Sequence, residues 1–357
     1  MGNDQSYHTS GAINPDFKVK KAGVRDLEYF IRGLEAGNKF VMSEAITLIE
    51  SQIEDKSLIA GLLLDWAFKR SMQQTIRIAV TGTPGVGKST FIEAFGKLVV
   101  NKGHKLSVLT IDPSSQQSKG SILGDKTRMA ELSVSKDVFI RPSASGNILG
   151  GTAAYTKDAI TICEAAGFDI TIVETVGVGQ SETEVNQMTD VSLLLLQPGA
   201  GDEIQGIKRG IMELADIFVI NKADGQQTEL ASQTQKEYRN AVQLFHHTIP
   251  EWRQPVLKVS ALSGDGLEKV WDALSEFIQI SRSTGYYTQK RRQQEVRWFY
   301  RQIMQKTEQL IFSNKKIAEH FQKLHADVNG GAVGTPAAIR KMVHLINAEF
   351  QKVKDGV

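Results

Sequence analysis

Ile76-Arg77-Ile78-Ala79-Val80-Thr81-Gly82-Thr83-Pro84-Gly85-Val86-Gly87-Lys88-Ser89-Thr90 is the stretch on which the reading of the fold turns. An apolar run stops at Gly82 and gives way within a few residues to a helical pattern. Gly82 to Ser89 matches G-x-x-x-x-G-K-[ST], and the flanking strand and helix are the context that makes this spacing a phosphate loop. Glycines let the backbone curl so that N–H groups point inward at a helix N-terminus. Gly82, Thr83, Pro84, Gly85, Val86, Gly87, Lys88, Ser89 and Thr90 are therefore the candidate phosphate-binding residues. Lys88 is expected to reach the β- and γ-phosphate oxygens and to serve catalysis, and the Ser89 hydroxyl to ligate Mg²⁺.

Outward from this stretch, short apolar runs alternate with amphipathic helical segments, as in a parallel sheet with crossover helices. The expected strands are Ile76–Val80, Leu106–Ile111, Val138–Arg141, Ile170–Val173, Val191–Leu196, Ile217–Ile220 and Val256–Val259. Right-handed crossovers give an α/β, doubly wound, mostly parallel sheet that binds ligands at the carboxyl ends of its strands. Residues 1–23 lack apolar periodicity and read as a mobile lead-in. Residues 24–75 read as a helical N-terminal extension, with helices from about Val24, from Lys39 to Ser51 and from Asp55 to Arg70. Residues 76–282 form the nucleotide-binding domain and 283–357 a C-terminal helical arm, whose last helix opens at Pro336.

Composition excludes several classes. The 357 residues are 41% hydrophobic and 23% charged, with 42 Lys+Arg against 40 Asp+Glu, too balanced for an evident nucleic-acid binder. Mean hydropathy is −0.22 and no apolar run approaches 18 residues, so no membrane span is expected. One cysteine, Cys163, rules out an intramolecular disulfide and reads as a buried core thiol. A cytoplasmic protein is the expectation.

Asn221-Lys222-Ala223-Asp224 follows the strand Ile217–Ile220. A carboxylate here can accept from N1–H and the 2-amino group of guanine, whereas adenine would leave it unpaired. Ser260-Ala261-Leu262, after the last strand, is placed to offer backbone N–H groups to the guanine O6. Asn221, Lys222, Asp224, Ser260, Ala261 and Leu262 make GTP and GDP the expected nucleotides and a P-loop GTPase the expected activity.

Two further strands end in acids, at Asp112-Pro113-Ser114-Ser115 and Glu174-Thr175-Val176-Gly177. A carboxylate at this edge can hold Mg²⁺ waters or the attacking water, and Gly177 can offer its N–H to the γ-phosphate. The second segment departs from the D-x-x-G of small signalling GTPases.

The phosphate loop, Ile111–Ser115, Gly124-Asp125-Lys126-Thr127-Arg128-Met129, Val173–Glu182 and Asn221–Asp224 together closely resemble the MeaB/ArgK family, the methylmalonyl-CoA-mutase-associated GTPases related to metallochaperone GTPases. Ala45–Ser51 and Gly334–Ala338 are similar to it as well, so the resemblance runs from about residue 24 onward. It implies that Asp112, Asp125 and Glu174 surround Mg²⁺ and the attacking water beside Lys88 and Ser89. It implies that Gly199–Lys208 is a third switch that relays nucleotide state to the mutase. No arginine finger is evident in the phosphate loop, and Arg128 or Lys208 is the candidate activating cation. It also implies a homodimer through the C-terminal arm, and a chaperone of an adenosylcobalamin-dependent acyl-CoA mutase that gates cofactor loading and protects the enzyme.

Other readings weigh less. A nickel metallochaperone needs a His or Cys cluster, and the adjacent His246 and His247 diverge on a helix. A transport-associated kinase needs a lid and an acceptor site. Met1–Ser6 fits the short myristoylation pattern, with no other membrane signal. Lys290–Arg301 is basic and aromatic, and reads as a partly buried interface helix with a solvated basic face.

Overall fold

The computed structural model describes residues 25–51, 54–71, 74–111, 129–143, 151–175, 180–199, 209–244 and 249–354. Seven strands form one sheet: β1 Ile76–Gly82, β2 Leu106–Ile111, β3 Val138–Ser143, β4 Ile170–Thr175, β5 Val191–Leu196, β6 Ile217–Ile220 and β7 Val256–Lys258. Their spatial order is β3-β2-β4-β1-β5-β6-β7, and each pairing is parallel. All seven expected strands are present, and β7 stops at Lys258, one residue short of the sequence reading. β5 is buried along its whole length. Its Leu193 and Leu195 enter the core on one face, Leu194 and Leu196 the core on the other, as expected of a strand covered on both sides.

Among the described residues, the helices are α1 Leu27–Glu35, α2 Lys39–Glu50, α3 Glu54–Arg70, α4 Lys88–Asn101, α5 Ala130–Ser133, α6 Gly151–Ala165, α7 Gln180–Asn186, α8 Arg209–Glu213, α9 Thr228–Val242, α10 Leu267–Ser283, α11 Tyr286–Ser313, α12 Lys315–Asn329 and α13 Thr335–Lys354. On one face, Phe91, Ile92 and Phe95 of α4 and Leu274 and Phe277 of α10 pack over Ile78, Val80 and Val108. On the other, Ile160 and Cys163 of α6 meet Ala79, Leu109 and Val173, and Met42, Ile46 and Leu63 of α2 and α3 continue the same core. The three N-terminal helices thus form a further layer over α6. Local chemistry sets their starts: Asp26 caps α1 by accepting the Tyr29 N–H at 2.8 Å, and Asn38 caps α2 through Phe40 at 3.0 Å. Cys163 is fully buried, and burial pushes its thiol up to about 12, so it is an inert core residue.

The amino-terminal edge of the sheet is closed by buried charge. Arg77 of β1 donates to both Glu164 carboxylate oxygens at 2.7 Å. Arg291 of α11 reaches Asp190, and Tyr287 donates its hydroxyl to the Thr75 carbonyl at 2.7 Å. Lys290 donates to the Asp190 carbonyl at 2.8 Å. These contacts correct the expectation of a solvated basic face over Lys290–Arg301: its first two cations turn inward, because buried carboxylates and carbonyls at the strand starts need donors. Phe299 and Tyr300 are exposed.

Candidate nucleotide site

β1 and β4 are neighbours whose chain connections leave in opposite directions, β1 toward β2 and β4 toward β5 beyond β1. Ligands of doubly wound sheets bind at such a switch point. Val80 pairs with Glu174 in register, which places the Glu174 carboxylate beside the turn that leaves β1. Gly82 and Gly87 have φ of 147° and 93°. A Cβ on Gly82 would lie 2.5 Å from the Leu195 carbonyl oxygen, and one on Gly87 2.8 Å from Asn221 Nδ2. Both positions exclude a side chain on space as well as on backbone conformation.

The helix that follows begins at Lys88, and Gly87 provides no side-chain cap. Its first N–H groups are thereby left for an anion. Lys88 is buried and donates to the carbonyls of Gly82 at 2.8 Å and Thr83 at 3.2 Å. The ammonium is held within the loop it serves. Ser89 Oγ donates to Glu174 Oε1 at 3.0 Å. A hydroxyl and a carboxylate converging in this way are hard oxygen donors, the set that Mg²⁺ takes.

The residues expected to recognise the base are assembled against the same loop. Asn221, buried, donates from Nδ2 to the carbonyls of Val86 at 3.0 Å and Gly87 at 3.4 Å, and accepts the Ala261 N–H at 3.3 Å. Lys222 adopts a left-handed φ of 58° and donates to the Gly85 carbonyl at 2.7 Å. A non-glycine residue in this region costs conformational energy and clusters at functional sites. Asp224 accepts the hydroxyl of buried Ser260, which also accepts the Ser263 N–H at 3.2 Å. Leu262 is 83% exposed, beside the two loop residues that the core retains.

The sheet therefore brings together Gly82 to Thr90, Glu174, Asn221, Lys222, Asp224, Ser260, Ala261 and Leu262. Asp112, Asp125, Arg128, Gly177 and Lys208 lie outside the described residues, as do His246 and His247. Only the start of the Gly199–Lys208 stretch is described: the Gly199 N–H donates to Thr234 Oγ1 of α9 at 2.9 Å. Two contributors escaped sequence reasoning. Ser260 holds Asp224 through its hydroxyl, whereas its own N–H goes to the Asp265 carbonyl at 3.0 Å and that of Ala261 to Asn221, which corrects the expectation that these two N–H groups face the guanine O6. The Thr234 hydroxyl accepts the Gly199 N–H from a distant helix. Neither carries a local signal, since each acts through a partner about 35 residues away along the chain.

A family model described as methylmalonyl Co-A mutase-associated GTPase MeaB matches residues 42–316. The chain belongs to this family. As a MeaB-family protein it is a GTPase that binds GTP and GDP, and the site above is where a phosphate loop and an N-K-x-D segment meet. It is 42% identical over 318 residues to the methylmalonic aciduria type A homolog, mitochondrial, of Mus musculus, covering 87% of this chain and 77% of that one. It is 39% identical over 320 residues to GTPase ArgK of Escherichia coli, covering 90% and 96%. Among solved structures, the LAO/AO transport system kinase superposes with a TM-score of 0.71 at 34% identity over 90% of this chain and 97% of that one. No helix among the described residues is long and apolar enough to cross a membrane.

Proposed function

We propose that this MeaB-family GTPase is a Mg²⁺-dependent switch that gates cofactor loading of an adenosylcobalamin-dependent acyl-CoA mutase in the cytoplasm, protects that mutase, and acts as a homodimer joined through its C-terminal arm. The observation that carries the reading is the 42% identity, over most of the chain, to a methylmalonic aciduria type A homolog. The resident Mg²⁺ would be held by Ser89 and Glu174, with Asp112 and Asp125 contributing from the segment after β2, and it would neutralise phosphate charge. Lys88 is poised to leave the Gly82 and Thr83 carbonyls for the β- and γ-phosphates. Asp224, oriented by Ser260, selects guanine.

The sequence that follows Glu174 supports control by a partner. Ras-type GTPases orient the attacking water with a Gln directly after the D-x-x-G glycine. Here Val178 follows Gly177 and the first Gln is Gln180. The carboxylates Asp112, Asp125 and Glu174 then position water, and Arg128 or Lys208 supplies charge when the mutase binds. Such a cation is worth about 10³–10⁵ in rate in other GTPases.

Phosphate release measured with and without the mutase tests this. Slow turnover by the isolated protein, well below ~10 s⁻¹, and a rise on adding mutase are expected. Lys208→Ala should keep GTP affinity and lose the stimulation. Fast turnover alone, or indifference to mutase, refutes the mechanism. The similarity to a structure described as a transport system kinase keeps one rival in view. A protein acceptor labelled by γ-phosphate in the same assay would favour it.

A further inference from the structure

At the amino-terminal edge of the sheet, a cleft of about 70 Å³ opens between the end of α8, the loop before β7 and the start of α11. Asp216 lines it and immediately precedes β6, whereas Asn221 immediately follows that strand. The cleft is thus about 16 Å from the guanine-binding segment, at the opposite end of one strand. The nucleotide does not use it.

Its wall is aromatic. Trp252, Phe277 and Tyr286 line it, and the first two pack edge to face with centroids 5.2 Å apart. Trp252 is pinned by donating Nε1–H to the Asp216 carbonyl at 2.9 Å. The polar groups on the other side are acceptors. Asp216 Oδ2 accepts the Ser192 N–H at 2.9 Å, and no described side chain hydrogen-bonds to this carboxylate. Burial pushes its carboxyl above the ordinary range, against the pull of Lys290 and the Ser192 N–H. Gln254 donates Nε2–H to the Ala215 carbonyl at 2.9 Å, which fixes its amide and leaves a buried Oε1 without a donor. A buried acceptor without a donor is costly and is normally satisfied.

Lys290 also borders the cleft, but its ammonium is committed to the Asp190 carbonyl at 2.8 Å and to Asn186 Oδ1 at 3.5 Å. It offers no direct donor to Gln254. An anion would face converging acceptors, and a hard metal ion would find an aromatic wall where it needs oxygens. A compact cation with N–H donors on a short alkyl stem suits both sides, its N–H groups meeting the acceptors and its stem the apolar rings.

We propose that this cleft binds a small organic monocation, a primary ammonium or guanidinium, whose N–H groups go to Asp216 and Gln254 Oε1 while its alkyl portion lies on the Trp252–Phe277–Tyr286 wall. The occupant bridges the end of α8 and the start of the C-terminal arm.

The test uses the full chain loaded with GDP and saturation-transfer NMR on n-butylammonium and butylguanidinium chlorides, with n-butanol and potassium chloride at matched ionic strength as controls. Both cations are expected to bind saturably and to compete with each other, and butanol is not. Gln254→Met removes the unpaired oxygen and should weaken binding at least fivefold, whereas Gln254→Glu replaces it by a carboxylate and should tighten binding at least fivefold. GDP affinity should be the same in both variants, which separates this cleft from the nucleotide site. Butanol binding as well as the cations, absence of saturation, or the same cation affinity in both variants as in the parent overturns the proposal.

Discussion

Arg291 grips Asp190 in a two-pronged ion pair, Nε to Oδ1 at 2.8 Å and Nη2 to Oδ2 at 2.7 Å, across 101 positions of sequence. Burial alone would raise the Asp190 carboxyl, but Arg291 and Arg77 hold it below the ordinary range. The pair ties the first turns of α11 to the residue that enters β5. Arg291→Met should cost about 3–5 kcal/mol, because it strands buried carboxylate charge. Equilibrium urea unfolding checks the figure, and a loss under 1 kcal/mol would contradict it. The depressed carboxyl contributes stability that is present above its unfolded pKa and is lost as pH falls through the lower folded value.

Asp158 of α6 has the opposite behaviour. Burial raises its carboxyl to about 7, with Glu295 pushing the same way and Lys157 opposing. Between the ordinary 3.8 and that value, the folded chain holds a proton that the unfolded chain releases. Stability from the neutral carboxyl is therefore complete below the unfolded pKa and declines as pH rises to 7. Asp158→Asn should flatten the decline and add on the order of 1–3 kcal/mol at pH 8 relative to the parent. Thermal unfolding at pH 5 and pH 8 gives the comparison; equal pH slopes in parent and variant would count against it.

Glu174→Gln keeps a hydrogen-bonding partner for Ser89 but removes a negative charge beside the phosphates. GDP affinity should stay within about threefold, while turnover falls by ~10²-fold or more, the scale of a positioned acid or base. Ser89→Ala should act through the metal, so its defect should shrink as Mg²⁺ is raised. A Glu174→Gln protein with parental single-turnover hydrolysis would remove this carboxylate from the mechanism.

Lys88→Ala takes away the cation that faces the phosphates from within the loop. Nucleotide binding should weaken or hydrolysis be abolished, with a loss of about 3 kcal/mol or more in transition-state stabilisation. GTP hydrolysis at the parent rate would show that the loop is not the phosphate site.

Asp224→Asn turns an acceptor into an amide that presents a donor to the guanine 2-amino group. GTP affinity should fall by roughly 2–3 kcal/mol, and binding of xanthosine triphosphate, with an oxygen at C2, should improve. Ser260→Ala should give a smaller loss in the same direction, because it frees the carboxylate that Ser260 holds. Calorimetry with both nucleotides separates these outcomes from a general loss of folding.

The phosphate loop, the seven strands and the N-K-x-D segment were legible in the sequence by itself, because each is a local pattern. Apolar runs such as Leu193–Leu196 report burial on both faces, and the spacing from Gly82 to Ser89 encodes a backbone path that glycine alone permits at Gly82 and Gly87. Tertiary structure alone decided the rest. Arg291, read as part of a basic surface stretch, became a buried partner of Asp190, and Ser260 became the hydroxyl that orients Asp224. The unpaired Gln254 oxygen likewise exists only where α8, β6 and α11 meet. A charge pattern along a helix does not say which cations will find carboxylates. That depends on which strand ends a distant helix covers, and desolvation then makes pairing compulsory.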